Sequence, residues 1–192
     1  PRTTSDAFDT IRFDAYSVIL SESGMDPSSV SFQNYTGTIW YAGFIYYVFG
    51  VSKFYVALFN SVLVFISCSL FVYVMGKIDG DFKRWQWLRF GMLIPDFIFH
   101  FPSVSKEPLC TFFIALGIYF ITKMCFTSKN TIFYFFLIAL TALFGFSIRA
   151  AVLPLIFIIG VIFFMIFKDK QSKKSSLSLI ILGFVCTLFL TC

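Results

Sequence analysis

From residue 54 to residue 76 the chain carries no charged side chain. Crossing the hydrocarbon core of a bilayer, about 30 Å thick, takes about 20 predominantly apolar helical residues. Within that core an unsatisfied backbone N–H or C=O costs several kcal/mol, so a spanning segment must close its own hydrogen bonds, as a helix does. The run 54–76 meets both conditions, and further apolar runs follow at 88–101, 109–121, 131–148, 151–167 and 177–192. Several fall short of about 20 residues, a deficit that tilt and snorkelling flanking lysines can cover. The reading is an all-α chain, a polytopic transmembrane helical bundle of about six spanning helices. The last run continues to the final residue, Cys192, and the first residue is Pro1 rather than Met. Both ends therefore read as cuts in a longer protein.

Composition argues the same way. Charged residues make up 13% of the chain, against about 25% in soluble domains, too few for a water-exposed surface of this size. The net charge of +5 does not indicate a nucleic-acid partner, because the cations stand in short clusters between apolar runs. Such clusters set membrane orientation. The loops after alternate crossings hold Lys77, Lys83, Arg84 and Arg89, then Lys123 and Lys129, then Lys168, Lys170, Lys173 and Lys174. Lys53, Lys106 and Arg149 fall on the other side. Ten cations against three predicts that the lysine-rich loops are cytoplasmic. The expected location is a multi-pass position in a bacterial inner membrane, with lipid as the surrounding partner.

Residues 1–36 are polar and read as an external loop segment, with 37–192 as the transmembrane helical region. Within the latter, 38–50 is about 13 residues long and rich in Trp and Tyr. That is too short to cross and suits an interfacial element. The five cysteines, Cys68, Cys110, Cys125, Cys186 and Cys192, lie in or beside apolar runs without CxxC spacing, as small buried hydrophobes do.

Three polar features share the external side: the acidic segment with Asp6 and Asp14, the turn carrying Lys106 and Glu107, and Arg149 between two apolar runs. Each alone is readable as a simple loop charge, and Arg149 can snorkel from a helix end. Asp96 and His100 stand four residues apart, on one helical face. An intramembrane Asp is a functional candidate; the alternative is a mutual hydrogen bond that satisfies both. With one histidine and no ligand cluster, the sequence supports no divalent metal, and no cofactor is assigned.

Tyr46-Tyr47-Val48-Phe49-Gly50-Val51-Ser52, followed by Leu58-Phe59-Asn60-Ser61, resembles a segment of the GT-C membrane glycosyltransferases. Leu93-Ile94-Pro95 with Pro102-Ser103 and Ser105-Lys106-Glu107 resembles their bacterial branch, as do Arg149 with Pro154 and the acidic start Ser5-Asp6-Ala7 and Phe13-Asp14-Ala15-Tyr16. The resemblance covers roughly residues 5–155 and implies transfer of a sugar from a polyprenyl-phosphate donor at the outer face. In that chemistry a carboxylate takes the proton of the attacking hydroxyl and cations hold the departing phosphate. The resemblance implies Asp14 or Asp6 as base and Lys106 and Arg149 as phosphate partners, with Glu107, Asp96 and His100 in support. The alternatives are a polysaccharide polymerase, a flippase or transporter for lipid-linked oligosaccharide using Asp96, His100 and Arg149 as a polar path, and a non-catalytic membrane scaffold.

Overall fold

A computed structural model describes residues 4–30, 36–93, 104–126 and 131–167. Among these residues the chain is helical, with no strand. Six α-helices follow in order: α1 (Thr4–Glu22), α2 (Thr36–Phe49), α3 (Lys53–Asp79), α4 (Glu107–Phe126), α5 (Thr131–Ile148) and α6 (Val152–Phe167). Two short 3₁₀ segments, Pro27–Ser29 and Gln86–Leu93, complete the described chain.

The longest helix shows how sequence sets its limits. Ser52 is extended and its hydroxyl accepts from the Phe54 N–H at 3.3 Å, capping the start of α3. At the other end Gly80 takes a left-handed φ of 83° and its N–H closes on the Gly76 carbonyl. Between the caps, 27 residues extend about 40 Å. Val56, Asn60, Val64, Ser67 and Val72 are buried in steps of three to five, while Phe54, Leu58, Val62 and Phe65 form an exposed apolar stripe. A helix apolar on its outer face as well as its inner one belongs in hydrocarbon.

Three helices, α3, α4 and α5, are long and apolar enough to cross a membrane. The run 131–148 coincides with α5, and 54–76 and 109–121 lie inside α3 and α4. The run 151–167 gives the 16-residue α6, one turn short of a comfortable crossing. The start of the run 88–101 is a 3₁₀ segment packed on α3, and its remainder, like 177–192, lies outside the described residues. The 14-residue α2 measures about 21 Å, less than the hydrocarbon thickness. The polar segment 1–36 contains α1, a 19-residue helix that its composition does not announce.

Packing fixes the helix directions. The Tyr73 and Tyr119 rings lie 5.1 Å apart, and Lys123 Nζ sits 4.8 Å from the Tyr73 ring centre. Val56, seventeen residues earlier in α3, shares a core with Val104 at the entry to α4. The two helices therefore run parallel. Phe113 stacks on Phe144, which makes α5 antiparallel to α4, and Ile156 and Gly160 meet Gly117 and Ile121, which makes α6 parallel to it. Lys77, Lys83, Arg84 and Lys123 thus lie at one end of the bundle, with the starts of α3, α4 and α6 at the other. The chain between Asp79 and Glu107 returns from the basic end to the opposite end.

α1 and α2 pack on each other and form a separate layer beside that opposite end. Phe13, Leu20, Ile39, Ala42, Ile45 and Tyr46 build its core, which reaches α3 at Val56 and the α4 approach at Val104. The Ser17 hydroxyl donates to the Phe13 and Ile39 carbonyls, and Leu20 lies against Gly43. A polar tie adds to these contacts: the Tyr41 hydroxyl donates to Oδ1 of the fully buried Asn60 at 3.0 Å. Hydrogen bonds between membrane helices average about 0.6 kcal/mol and reach about 1.7. A double-mutant cycle of Tyr41→Phe and Asn60→Leu, measured by unfolding in detergent micelles, is expected to give a coupling in that range. A coupling of zero would remove this tie from the account.

Candidate functional site

Asp14 faces α2 from the middle of α1. Its Oδ1 accepts from the Tyr46 hydroxyl at 2.6 Å, and its Oδ2 lies 3.1 Å from Lys53 Nζ. Both carboxylate oxygens are therefore engaged, one by the end of α2 and one by the start of α3. The Asp14 side chain keeps 21% of its surface exposed and that of Lys53 67%. An ion pair this wet contributes at most about 1 kcal/mol. The Tyr46 bond is the firmer of the two, since the residue is buried and a hydrogen bond to a charged group is worth about 1.5–3 kcal/mol. Burial first, and the Asp14 carboxylate second, push the Tyr46 phenol well above its ordinary range. It therefore stays a donor.

A second cluster forms where α4 begins. Val104 and Ser105 are buried, so the chain enters α4 through a packed turn that fixes Lys106 and Glu107. The Cys110 N–H closes on the Lys106 carbonyl and the Thr111 hydroxyl on that of Glu107. Arg149 arrives from the α5–α6 junction, where its N–H bonds the Gly145 carbonyl and its own carbonyl accepts from the Val152 N–H. Leu109 and Cys110, one turn into α4, share a core with Ile148 and Val152, which stand on either side of Arg149 in the chain. Lys106 and Arg149 thus stand on elements that pack together at one end of the bundle. Glu107 offsets part of their charge.

α2 connects the two clusters. At its start Gly37 lies so close to Ser147 and Ile148 that a Cβ would come within 2.8 Å of both side chains. Tyr46 is nine residues further on, about 14 Å along the helix axis. Asp14 and Arg149 consequently sit near opposite ends of α2, at the same end of the bundle. The fold brings Lys106, Glu107 and Arg149 together, and gives Asp14 to Lys53 and Tyr46 instead. α1 runs antiparallel to α2, with Asp14 at Tyr46 and Ser17 at Ile39. Asp6, in the first turn of α1, therefore lies beyond Asp14 as seen from Arg149; its side chain is outside the described residues, as are Asp96 and His100.

Sequence reasoning counts Lys53 only as a topology charge and passes over Tyr46 as a partner. The available signal is that Lys53 opens the span immediately after a Tyr-rich helix that carries a buried hydroxyl. Comparison with known protein families, curated proteins and solved structures finds no match for this chain.

The Tyr46 environment has a pH consequence. Because its folded value is raised, the stability it lends is fully present below the ordinary tyrosine value of about 10 and is lost as pH climbs above it toward the folded value. In an alkaline titration of phenolate absorbance, subtracting Tyr46→Phe from wild type should show no ionisation near pH ~10. In an Asp14→Asn background the Tyr46 signal should move partway back, since burial remains and the charge is gone. A Tyr46 signal at the ordinary position in wild type would contradict this arrangement.

Proposed function

We propose that the chain belongs to a multi-pass glycosyltransferase of the bacterial inner membrane, which transfers a sugar from a polyprenyl-phosphate donor on the extracytoplasmic face during cell-surface polysaccharide or glycoconjugate synthesis. The observation that carries the reading is that the start of α4, with Lys106, packs against the α5–α6 junction, with Arg149, at the end of the bundle away from the lysine-rich loops. A diffuse phosphate charge is well matched by two cations. The exposed apolar surfaces of α3 and α5 leave the donor's lipid tail in hydrocarbon while its head reaches that end. The parallel course of α3 and α4 supports a further crossing between them, as expected for residues 88–101.

In the transfer, the acceptor oxygen attacks the anomeric carbon as the bond from that carbon to the phosphate oxygen breaks. The hydroxyl proton passes to a carboxylate, and the electron pair of the broken bond stays on the phosphate, where Lys106 and Arg149 hold it. Asp14 and Asp6 are the candidate bases. Transfer through Asp14 calls for release of one of its two engaged oxygens, from Tyr46 or from Lys53.

The test follows sugar transfer from a polyprenyl-phosphate donor in membranes containing the protein, with expression levels matched. Asp14→Asn or Asp6→Asn, but not both, should lower turnover about 10²–10⁴-fold with donor binding kept. Arg149→Ala and Lys106→Ala should weaken donor binding, and Arg149→Lys should recover only part of the loss if the contact is bidentate. Undiminished transfer by the Asp6→Asn, Asp14→Asn double variant and by Arg149→Ala would refute the proposal.

A further inference from the structure

The basic end of the bundle carries a structured surface that the transfer chemistry does not use. After Gly80 reverses the chain, Phe82 folds back over Gly76, where a Cβ would overlap its ring, and also meets the Tyr73 ring. The Asp81 carboxylate accepts from the Lys83 N–H at 2.9 Å, and the Trp85 indole N–H donates to Asp79 at 3.1 Å. Arg84 pairs with the same Asp79 carboxylate and lies over the Trp85 ring. These contacts fix the turn, and the 3₁₀ segment that follows packs on α3.

What the fixed turn presents outward is apolar and cationic together. Trp87 is 60% exposed and Phe90 68%, while Lys77, Lys83 and Arg89 are exposed and make no ion pair among the described residues. Asp79 and Asp81, the acidic groups of the turn, are already committed to Arg84, Trp85 and the backbone. The surface stands at the end of a spanning helix, where the bilayer's headgroup layer lies. We propose that Trp87, Phe90, Lys83 and Arg89 form a binding surface for anionic phospholipid, the two rings entering the acyl boundary and the two cations meeting lipid phosphates. Aromatic side chains favour that depth, and each cation near an anionic leaflet adds to the attraction. From residue 77 to residue 89 four cations stand against two carboxylates, so the net charge of the turn stays positive.

The experiment places the protein in nanodiscs that mix phosphatidylcholine and phosphatidylglycerol, with bromine on the acyl chains of one lipid at a time. The chain has three tryptophans, so Trp40→Phe with Trp85→Phe leaves Trp87 as the reporter. Trp87 fluorescence is expected to be quenched more by brominated phosphatidylglycerol than by brominated phosphatidylcholine at equal mole fraction. Lys83→Gln and Arg89→Gln should each lower that preference about fivefold and abolish it together. Equal quenching by the two lipids, or none by either, would overturn the proposal. Because Trp85→Phe removes the Asp79 bond, native mass spectrometry of the otherwise unaltered protein, released from the same nanodiscs, supplies a second measurement. Preferential retention of phosphatidylglycerol, lost in the Lys83→Gln, Arg89→Gln variant, supports the surface. Indifferent retention by wild type rejects it.

Discussion

In hydrocarbon no backbone polar group can be left without a partner, and the architecture of this chain depends on that constraint. It makes helices of the apolar runs, and it also governs the few polar side chains inside them. The buried hydroxyls of Ser67, Thr122 and Thr141 donate to carbonyls four residues earlier in their own helices, so they ask nothing of a neighbour. Asn60 has an amide rather than a hydroxyl, and Tyr41 of α2 reaches its oxygen. The requirement for satisfied polar groups thereby becomes a contact between the α1–α2 layer and the membrane bundle.

The parallel packing of α3 on α4 separates the molecule into two chemically different ends. One gathers Lys77, Lys83, Arg84 and Lys123, with Lys123 set against the Tyr73 and Tyr119 rings. The other holds the Asp14–Lys53–Tyr46 cluster and the Lys106–Glu107–Arg149 cluster, with α2 running between them. Neither cluster at this second end is a deep charged core. Asp14 and Lys53 are partly wet and Arg149 is exposed, so their charges are retained without the full cost of desolvation. Groups of this kind are able to exchange partners, as the proposed headgroup site requires.

How far the sequence discloses this depends on the range of each interaction. The long apolar helices at 54–76 and 131–148 are legible because run length and absence of charge are local properties. α1 is not, because its buried stripe of Phe13, Ser17 and Leu20 interrupts a polar segment and gains meaning only when α2 covers it. The 3₁₀ course of Gln86–Leu93 is also hidden, since its residues are as apolar as those of a helix. The shared side of Lys106, Glu107 and Arg149 follows from counting crossings, but the packing of the start of α4 on the α5–α6 junction emerges only in the fold. The pairing of Asp14 with Lys53 spans 39 residues and leaves no periodic trace. The roles considered for Asp96 and His100 fall on residues outside those described.

The central claim is that the two ends face opposite sides of the membrane. Single cysteines introduced at positions 53, 106 and 83, in a background without native cysteines, measure this directly with a membrane-impermeant thiol reagent. In intact cells the cysteines replacing Lys53 and Lys106 should be labelled, and the one replacing Lys83 should react only after permeabilisation. Labelling of position 83 from outside intact cells would contradict the account, because both candidate clusters would then lie on the cytoplasmic face.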